Sequence, residues 1–485
     1  MKRRDFLTGV LAGLPISAYG GQMERPPARA GRPVPATSTA DIIRQFGLAD
    51  KTGFVVVDLA SGRVIEQHNP TLELPPASVT KAITALYAQA HLGNDFRFET
   101  RVIGTGPIID TQLQGDLYLV GGGDPHLDSD SLAELAQAVA QAGIRTISGR
   151  FYVVDTALPQ VEFIDPSQPI QVGYNPSVSG LNLNFNRIYF EWKKTGGAYR
   201  VTMDARAEQH RPQVSTSEMR IVNRGGPIYS YTHEDDVERW SVARGALGDG
   251  GGRWLPVRDA GRYTAAVFQA LACAHDITLP TVQKRATVAR GRVIARRLSP
   301  NLRAIQRSML YFSTNLTAEV LGMRASQAAG HSISNLRSSG RFMARWASRQ
   351  TRLSSPVFFN HSGLSDRSEI SARDMTSLLA LQGSRQGLAG LMKRIQMVNP
   401  RGNAVTVPGV EIFAKTGTLN FTRGLAGYIE TGGRQKLAFA IFSADMAARR
   451  AAPAGEERPL GARSWSTNAR TQEKALLYRW ATQFA

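Results

Sequence analysis

The chain has 485 residues, 42 % hydrophobic and 20 % charged, with a formal net charge of +19. That length suggests about three domains, and the composition excludes a disordered chain and a polytopic membrane protein. The single cysteine, Cys273, excludes an intrachain disulfide and a cysteine-based zinc cluster. The positive charge suits a polyanion, either nucleic acid or an anionic wall polymer. No zinc finger, RNP-type strand or basic-aromatic repeat supports nucleic acid.

The chain opens on an export address. Met1 to Asp5 is a basic head, and Phe6 to Ala18 is an apolar run interrupted by Pro15, too short to span a bilayer. Arg3-Arg4 followed by Phe6-Leu7 resembles a twin-arginine export signal, which predicts a periplasmic destination. Ala18 and Gly20 offer a cleavage site, and residues 22–40 are a Pro/Ala/Arg-rich linker. No later stretch is apolar over the ~20 residues that a crossing takes, so no integral membrane segment is expected in the mature chain.

Phe54 to Leu59 is a β-branched run, Ser61-Gly62 a turn and Arg63 to Glu66 a returning strand, which predicts a hairpin. After Pro75-Pro76, Val79, Ile83, Leu86 and Ala90 recur at helical spacing, which predicts a helix from Ser78 to His91. Residues 99–165 carry short strands, residues 166–261 are strand- and turn-rich, and residues 262–276 return to helix. The pattern is mainly helical from 300 to 395. Val410 to Lys415 then alternates as a strand does, and Leu425 to Thr431 pairs with Leu437 to Ser443 around Gly432-Gly433. Thr467 to Phe484 closes the chain as a helix. Hairpins at both ends with helices between predict one α/β domain split by a long insertion. Residues 446–463 read as a mobile, solvated, low-complexity loop without a function.

Three motifs carry chemistry. In Ser78-Val79-Thr80-Lys81, a three-residue step on a helix puts the Lys81 amine beside the Ser78 hydroxyl. A hydroxyl becomes a good nucleophile when a base takes its proton. Lysine serves only when neutral, which burial and a second cation both favour. The helix start also offers free N–H groups to an oxyanion. In Ser313-Thr314-Asn315, Ser313 could pass the proton to a leaving amine and Asn315 could bind a substrate amide; an N-cap is the structural alternative. In Lys415-Thr416-Gly417-Thr418, at the end of the alternating strand, Lys415 supplies the second cation. It could also attract a substrate carboxylate. Gly417 would let a ligand approach the backbone, and the Thr418 and Ser78 N–H groups would complete an oxyanion hole.

These motifs, in this order, resemble those of the class C low-molecular-mass penicillin-binding proteins, the D-alanyl-D-alanine carboxypeptidase/endopeptidases of the penicillin-binding protein 4 family, peptidase S13. Pro76 to Lys81 with Thr84, Gly121-Gly122-Gly123-Asp124-Pro125, Ala318-Glu319 and Ser362-Gly363-Leu364-Ser365 extend the likeness. Ser313 lies 235 positions after Ser78, room for the family's two inserted domains. The resemblance implies an α/β fold, with a serine β-lactamase/transpeptidase-like catalytic domain (an antiparallel sheet flanked by helices) and two inserted β-rich domains. The bounds expected are 1–30 for signal peptide and linker and 31–98 with 299–485 for the catalytic domain. Inserted domain II takes 99–165 with 262–298, and inserted domain III takes 166–261.

The resemblance also implies roles. Ser78 is the acylated nucleophile, Lys81 the base, Ser313 the proton relay, Asn315 the amide binder, and Lys415 with Thr416 the carboxylate partners. Peptidoglycan stem peptides are the substrate, β-lactam antibiotics the inhibitors, and a homodimer is compatible with the family. No metal or organic cofactor is implied, and the eight histidines show no metal spacing. The family's Ser-Gly-Leu-Ser-Arg is here Ser362-Gly363-Leu364-Ser365-Asp366-Arg367, so the resemblance implies Arg367, displaced by one, as the arginine that meets the stem-peptide diamino acid. Asp155 is a candidate contact to the diamino acid's amine. His361 reads as a loop residue, Gly248 to Gly252 as a turn, and Trp240 and Trp254 as core. A β-lactamase and a non-catalytic wall-binding module are the rival functions.

Overall fold

Apolar runs from both ends of the chain meet in one antiparallel sheet. The computed structural model describes residues 38–351, 354, 356–432 and 435–483; the export signal, its cleavage site and most of the linker lie outside them. Helix α1 (Thr39–Phe46) leads into strands β1 (Thr52–Asp58) and β2 (Val64–His68). Helix α2 (Thr80–Leu92) follows. After the inserted residues come α3 (Leu302–Phe312) and α4 (Asn315–Ala328). Strands β3 (Lys393–Arg394), β4 (Glu411–Leu419), β5 (Thr422–Glu430) and β6 (Lys436–Ala444) precede the closing helix α5 (Ala462–Gln483).

The sheet order is β3-β4-β5-β6-β1-β2. Alternation along the strands feeds two cores. Val55, Ala438, Ala440 and Phe442 pack with α2, α3 and α4, whereas Phe54, Val56, Leu437, Phe439 and Ile441 pack with Leu476, Leu477 and Trp480 of α5. Both faces are covered, so β5 and β6 read as continuous apolar runs. Asn301 caps α3 by accepting from the Ala304 N–H at 3.0 Å, a contact of ~1 kcal/mol.

Between α2 and α3 the chain forms a five-stranded sheet from segments 99–104, 117–120, 151–154, 282–284 and 292–298. Two three-stranded sheets lie within 187–256. Helix Ser129–Gln141, capped by Asp128, is an element the short-strand expectation for 99–165 omitted. Trp240 is core, and Trp254 is half-buried.

Two loop expectations need correction. Gly250, Gly251 and Gly252 open a strand, Gly250–Pro256, rather than a turn. A Cβ on Gly252 would sit 2.1 Å from the Tyr189 hydroxyl, so the glycines admit cross-strand aromatic rings. Residues 446–463 also carry structure: Met446–Ala451 is helical with Asp445 as its cap, and α5 begins at Ala462.

Candidate active site

The first motif, around Ser78, sits on a turn pressed into the sheet. Ala77–Val79 is a 3-10 turn leading directly into α2, and Ala77 adopts a left-handed φ of 47°. The turn lies against β4 and β5 where Gly417 pairs with Gly424. A Cβ on Gly417 would lie 2.6 Å from the Pro76 carbonyl oxygen and 3.0 Å from the Ser78 nitrogen. On its Cβ side, Gly417 therefore admits the Ser78 turn to the strand.

Lys81 lies one helical turn beyond Ser78 and is fully buried. Its Nζ donates to Ser78 Oγ at 2.8 Å, to Asn315 Oδ1 at 2.7 Å and to the Ser362 carbonyl at 2.8 Å. Burial holds its pKa well below that of a free lysine; the Lys415 charge adds to this, and Glu319 opposes it. Two of the three partners can only accept. A neutral amine would satisfy both with its N–H bonds and aim its lone pair at Ser78 Oγ, the one partner with a proton to give.

Ser313 ends α3 with a left-handed φ of 60°, and Asn315 begins α4. Two helices thus meet head to tail at the second motif. The break lets Ser313 and Asn315 line one cleft with Ser78 and Thr418, a cleft of about 960 Å³. Asn315 also donates from Nδ2 to the Tyr174 carbonyl at 2.8 Å, which ties the inserted residues to the centre.

Strand β4 runs through the third motif instead of ending at it. Alternation exposes Thr416 and Thr418 on one side and buries Lys415 and Gly417 on the other. The Thr418 hydroxyl accepts from Arg423 Nη1 at 2.8 Å, and Arg423 is held by buried Glu473 at 2.7 Å. Burial, with a smaller contribution from the Lys393 charge, lowers the Lys415 pKa to about 7. Lys415 Nζ donates to the Thr416 carbonyl at 2.7 Å.

Glu319 is a buried acid to which the sequence gave no role. Its carboxylate accepts the His361 and Ser362 N–H groups, each at 2.8 Å, and so fixes the carbonyl that receives Lys81. Burial lifts its pKa to about 7. An acid four residues after Asn315, on the same helix face, was the available signal. His361 is on a loop, as expected, yet wholly buried, with Nε2 2.7 Å from Ser339 Oγ; burial lowers its pKa to about 3.

The two diamino-acid candidates lie outside the cleft lining. Asp155 is 3 % exposed, faces Lys284 at 3.4 Å and accepts from Gln160 at 2.6 Å. Arg367 stacks over Phe359 at 4.2 Å. The cleft instead receives Asp366 and, from the supposed idle loop, Arg449. Arg449 Nε donates to Asp366 at 2.6 Å and its Nη1 to the Asn420 carbonyl at 2.7 Å. Farther along, Glu457 accepts from Arg253 at 2.8 Å. Residues 449–459 are thus a wall of the cleft held by charge pairs, which a composition reading of Ala, Arg and Pro could not show.

The sequence signature of the D-Ala-D-Ala carboxypeptidase 3 (S13) family matches residues 36–460. The D-alanyl-D-alanine carboxypeptidase of Actinomadura sp. (strain R39) is 36 % identical over 135 residues, 27 % of this chain and only 25 % of that relative. The D-alanyl-D-alanine carboxypeptidase DacB of Haemophilus influenzae is 22 % identical over 438 residues, 84 % of this chain and 88 % of the relative. The crystal structure of penicillin binding protein 4 from H. influenzae is similar with a TM-score of 0.73 at 18 % identity, covering 91 % of this chain and 99 % of that one. The same protein complexed with a β-lactam gives 0.70 at 19 % identity, covering 91 % and 98 %. The α/β fold is that of a penicillin-binding protein with extra domains. No helix among the described residues is long and apolar enough to cross a membrane.

Proposed function

We propose that this chain, which belongs to the D-Ala-D-Ala carboxypeptidase 3 (S13) family, is a serine D-Ala-D-Ala carboxypeptidase and endopeptidase that acts on peptidoglycan through a Ser78 acyl-enzyme. The observation that carries it is the buried Lys81 amine, within hydrogen-bond reach of Ser78 and fixed by Asn315 and Ser362. Lys81 takes the Ser78 proton as Oγ attacks the penultimate D-alanine carbonyl. The Ser78 and Thr418 N–H groups hold the oxyanion. The C–N bond then breaks, and Ser313 delivers the proton to the leaving amine. Water later cleaves the ester and restores Ser78. Lys415 and Thr416 receive the substrate carboxylate.

β-Lactams present a strained amide to the same nucleophile and are trapped as esters. Export by the twin-arginine signal, action in the periplasm and the domain bounds of the catalytic and inserted parts belong to the same reading. The homodimer belongs to it as well.

Product analysis by mass tests it. The mature chain should remove one alanine from pentapeptide monomers and split cross-linked muropeptide dimers. Fast turnover of penicillin with no product from either peptide would make the protein a β-lactamase. Saturable, salt-sensitive binding to sacculi with no acylation would make it a wall-binding module.

A further inference from the structure

Two large aromatic side chains stand on the surface directly before Ser313. Tyr311 is 52 % and Phe312 53 % exposed. Their rings meet edge to face with centroids 4.8 Å apart. Lys393 Nζ lies 5.1 Å from the Tyr311 ring centroid, which joins the end of α3 to β3. Exposed apolar groups scattered singly need no explanation; a paired set at the end of a catalytic helix does.

The direction of β4 says which part of a substrate this patch faces. Thr418, Leu419 and Asn420, at the C-terminal end of β4, line the cleft beside Ser78. Lys393 pairs with Ala414, on the other side of Lys415. With the leaving residue's carboxylate at Lys415 and Thr416, as proposed above, the acyl part of a peptide laid along β4 occupies the cleft, and whatever lies beyond the scissile bond extends past Lys415 toward Lys393 and Tyr311. In a pentapeptide monomer that part is a single D-alanine. In a cross-linked substrate it is a diamino acid bearing an entire second stem peptide, with further carboxylates.

We propose that Tyr311, Phe312 and Lys393 form a subsite for the second stem peptide of cross-linked substrates. This rests on the hydrolase reading above and names residues that favour one of its two substrates. The aromatic faces cover the apolar parts of the leaving peptide, and the exposed Lys393 ammonium complements its carboxylates. The strand partner of Lys393, Ala414, directly precedes Lys415, which puts Lys393 beside the residue assigned to the carboxylate. Chemistry is unchanged: the bond from the D-alanine carbonyl to the diamino acid's amine breaks, the amine takes the proton from Ser313, and the second peptide departs intact.

The test is the mature chain with Tyr311→Gln and Phe312→Gln together, assayed on muropeptide dimers and pentapeptide monomers. We expect kcat/KM for dimers, divided by that for monomers, to fall roughly tenfold through the dimer KM, the effect of losing one good aromatic anchor. The exchange of the two residues, Tyr311→Phe with Phe312→Tyr, should keep the ratio. An unchanged ratio overturns the proposal, whether both activities persist or both decline together. If the double variant does not fold, Tyr311→Gln alone, at an exposed position, is measured by the same ratio, and the same two outcomes apply. A variant that loses self-association at an unchanged ratio assigns the patch to a second copy and also overturns it. A wild-type chain that trims monomers but never splits dimers refutes this subsite alone; one inert on both refutes the hydrolase reading.

Discussion

Gly322→Ala isolates the packing that holds Lys81. On helix propensity alone it should stabilise α4 by ~1 kcal/mol. The structure reverses that sign. A Cβ on residue 322 would lie 2.0 Å from His361 Cγ and 2.1 Å from Nδ1, against the ~3.5–4.0 Å of a relaxed carbon contact. The imidazole cannot swing out, because His361 is wholly buried and bonded to Ser339. Overpacking of this kind costs ~1–3 kcal/mol, and more where nothing yields. We expect a net loss of about 2 kcal/mol in denaturant unfolding after the propensity gain is subtracted. The same displacement pushes on the His361–Ser362 backbone, whose carbonyl receives Lys81, so penicillin acylation should slow as well. Removing the ring in the same chain, Gly322→Ala with His361→Ala, should cost less than the two single changes together. A more stable Gly322→Ala variant, or strictly additive costs, would refute the reasoning.

Other outcomes follow from the charges. Lys415 pushes the Lys81 pKa down, so Lys415→Met should let Lys81 keep its proton to higher pH and move the acid limb of penicillin acylation upward. An unmoved or lowered limb would contradict this. Lys415 loses its own charge as pH rises through about 7; KM for carboxylate-ended peptides should therefore climb above pH 7, and a flat KM from pH 6 to 9 would count against its role. Arg423→Met strands the buried Glu473 carboxylate, and ~3–5 kcal/mol of stability should go with it; a loss under 1 kcal/mol in denaturant titration would show the pair to be idle. Arg449→Ala frees Asp366 and the Asn420 carbonyl, and limited proteolysis should then cut within 446–460 faster than in the parent chain.

The sequence was most legible where chemistry and periodicity coincide. Ser-x-x-Lys at a helix start needs only the helical repeat to place Lys81 at Ser78, and alternation in β4 puts Thr416 and Thr418 on one side. What it could not disclose came from distant pairings. Glu319 accepts from the Ser362 N–H, 43 positions away, and Arg449 donates to Asp366, 83 positions away. Neither pairing leaves a local pattern. Low complexity misled at 446–463, because a few charges fix a segment that has almost no apolar side chains to bury. The packing at Gly417 was illegible for a related reason, since only the folded chain shows what fills the space a glycine leaves.

The most direct measurement is the site of acylation. The mature chain, treated with penicillin, should gain the mass of one ring-opened drug, and peptide mapping should place it on Ser78, with no gain in Ser78→Ala. An adduct on another residue, or one that persists in Ser78→Ala, would contradict the assignment of Ser78 as nucleophile and Lys81 as its base.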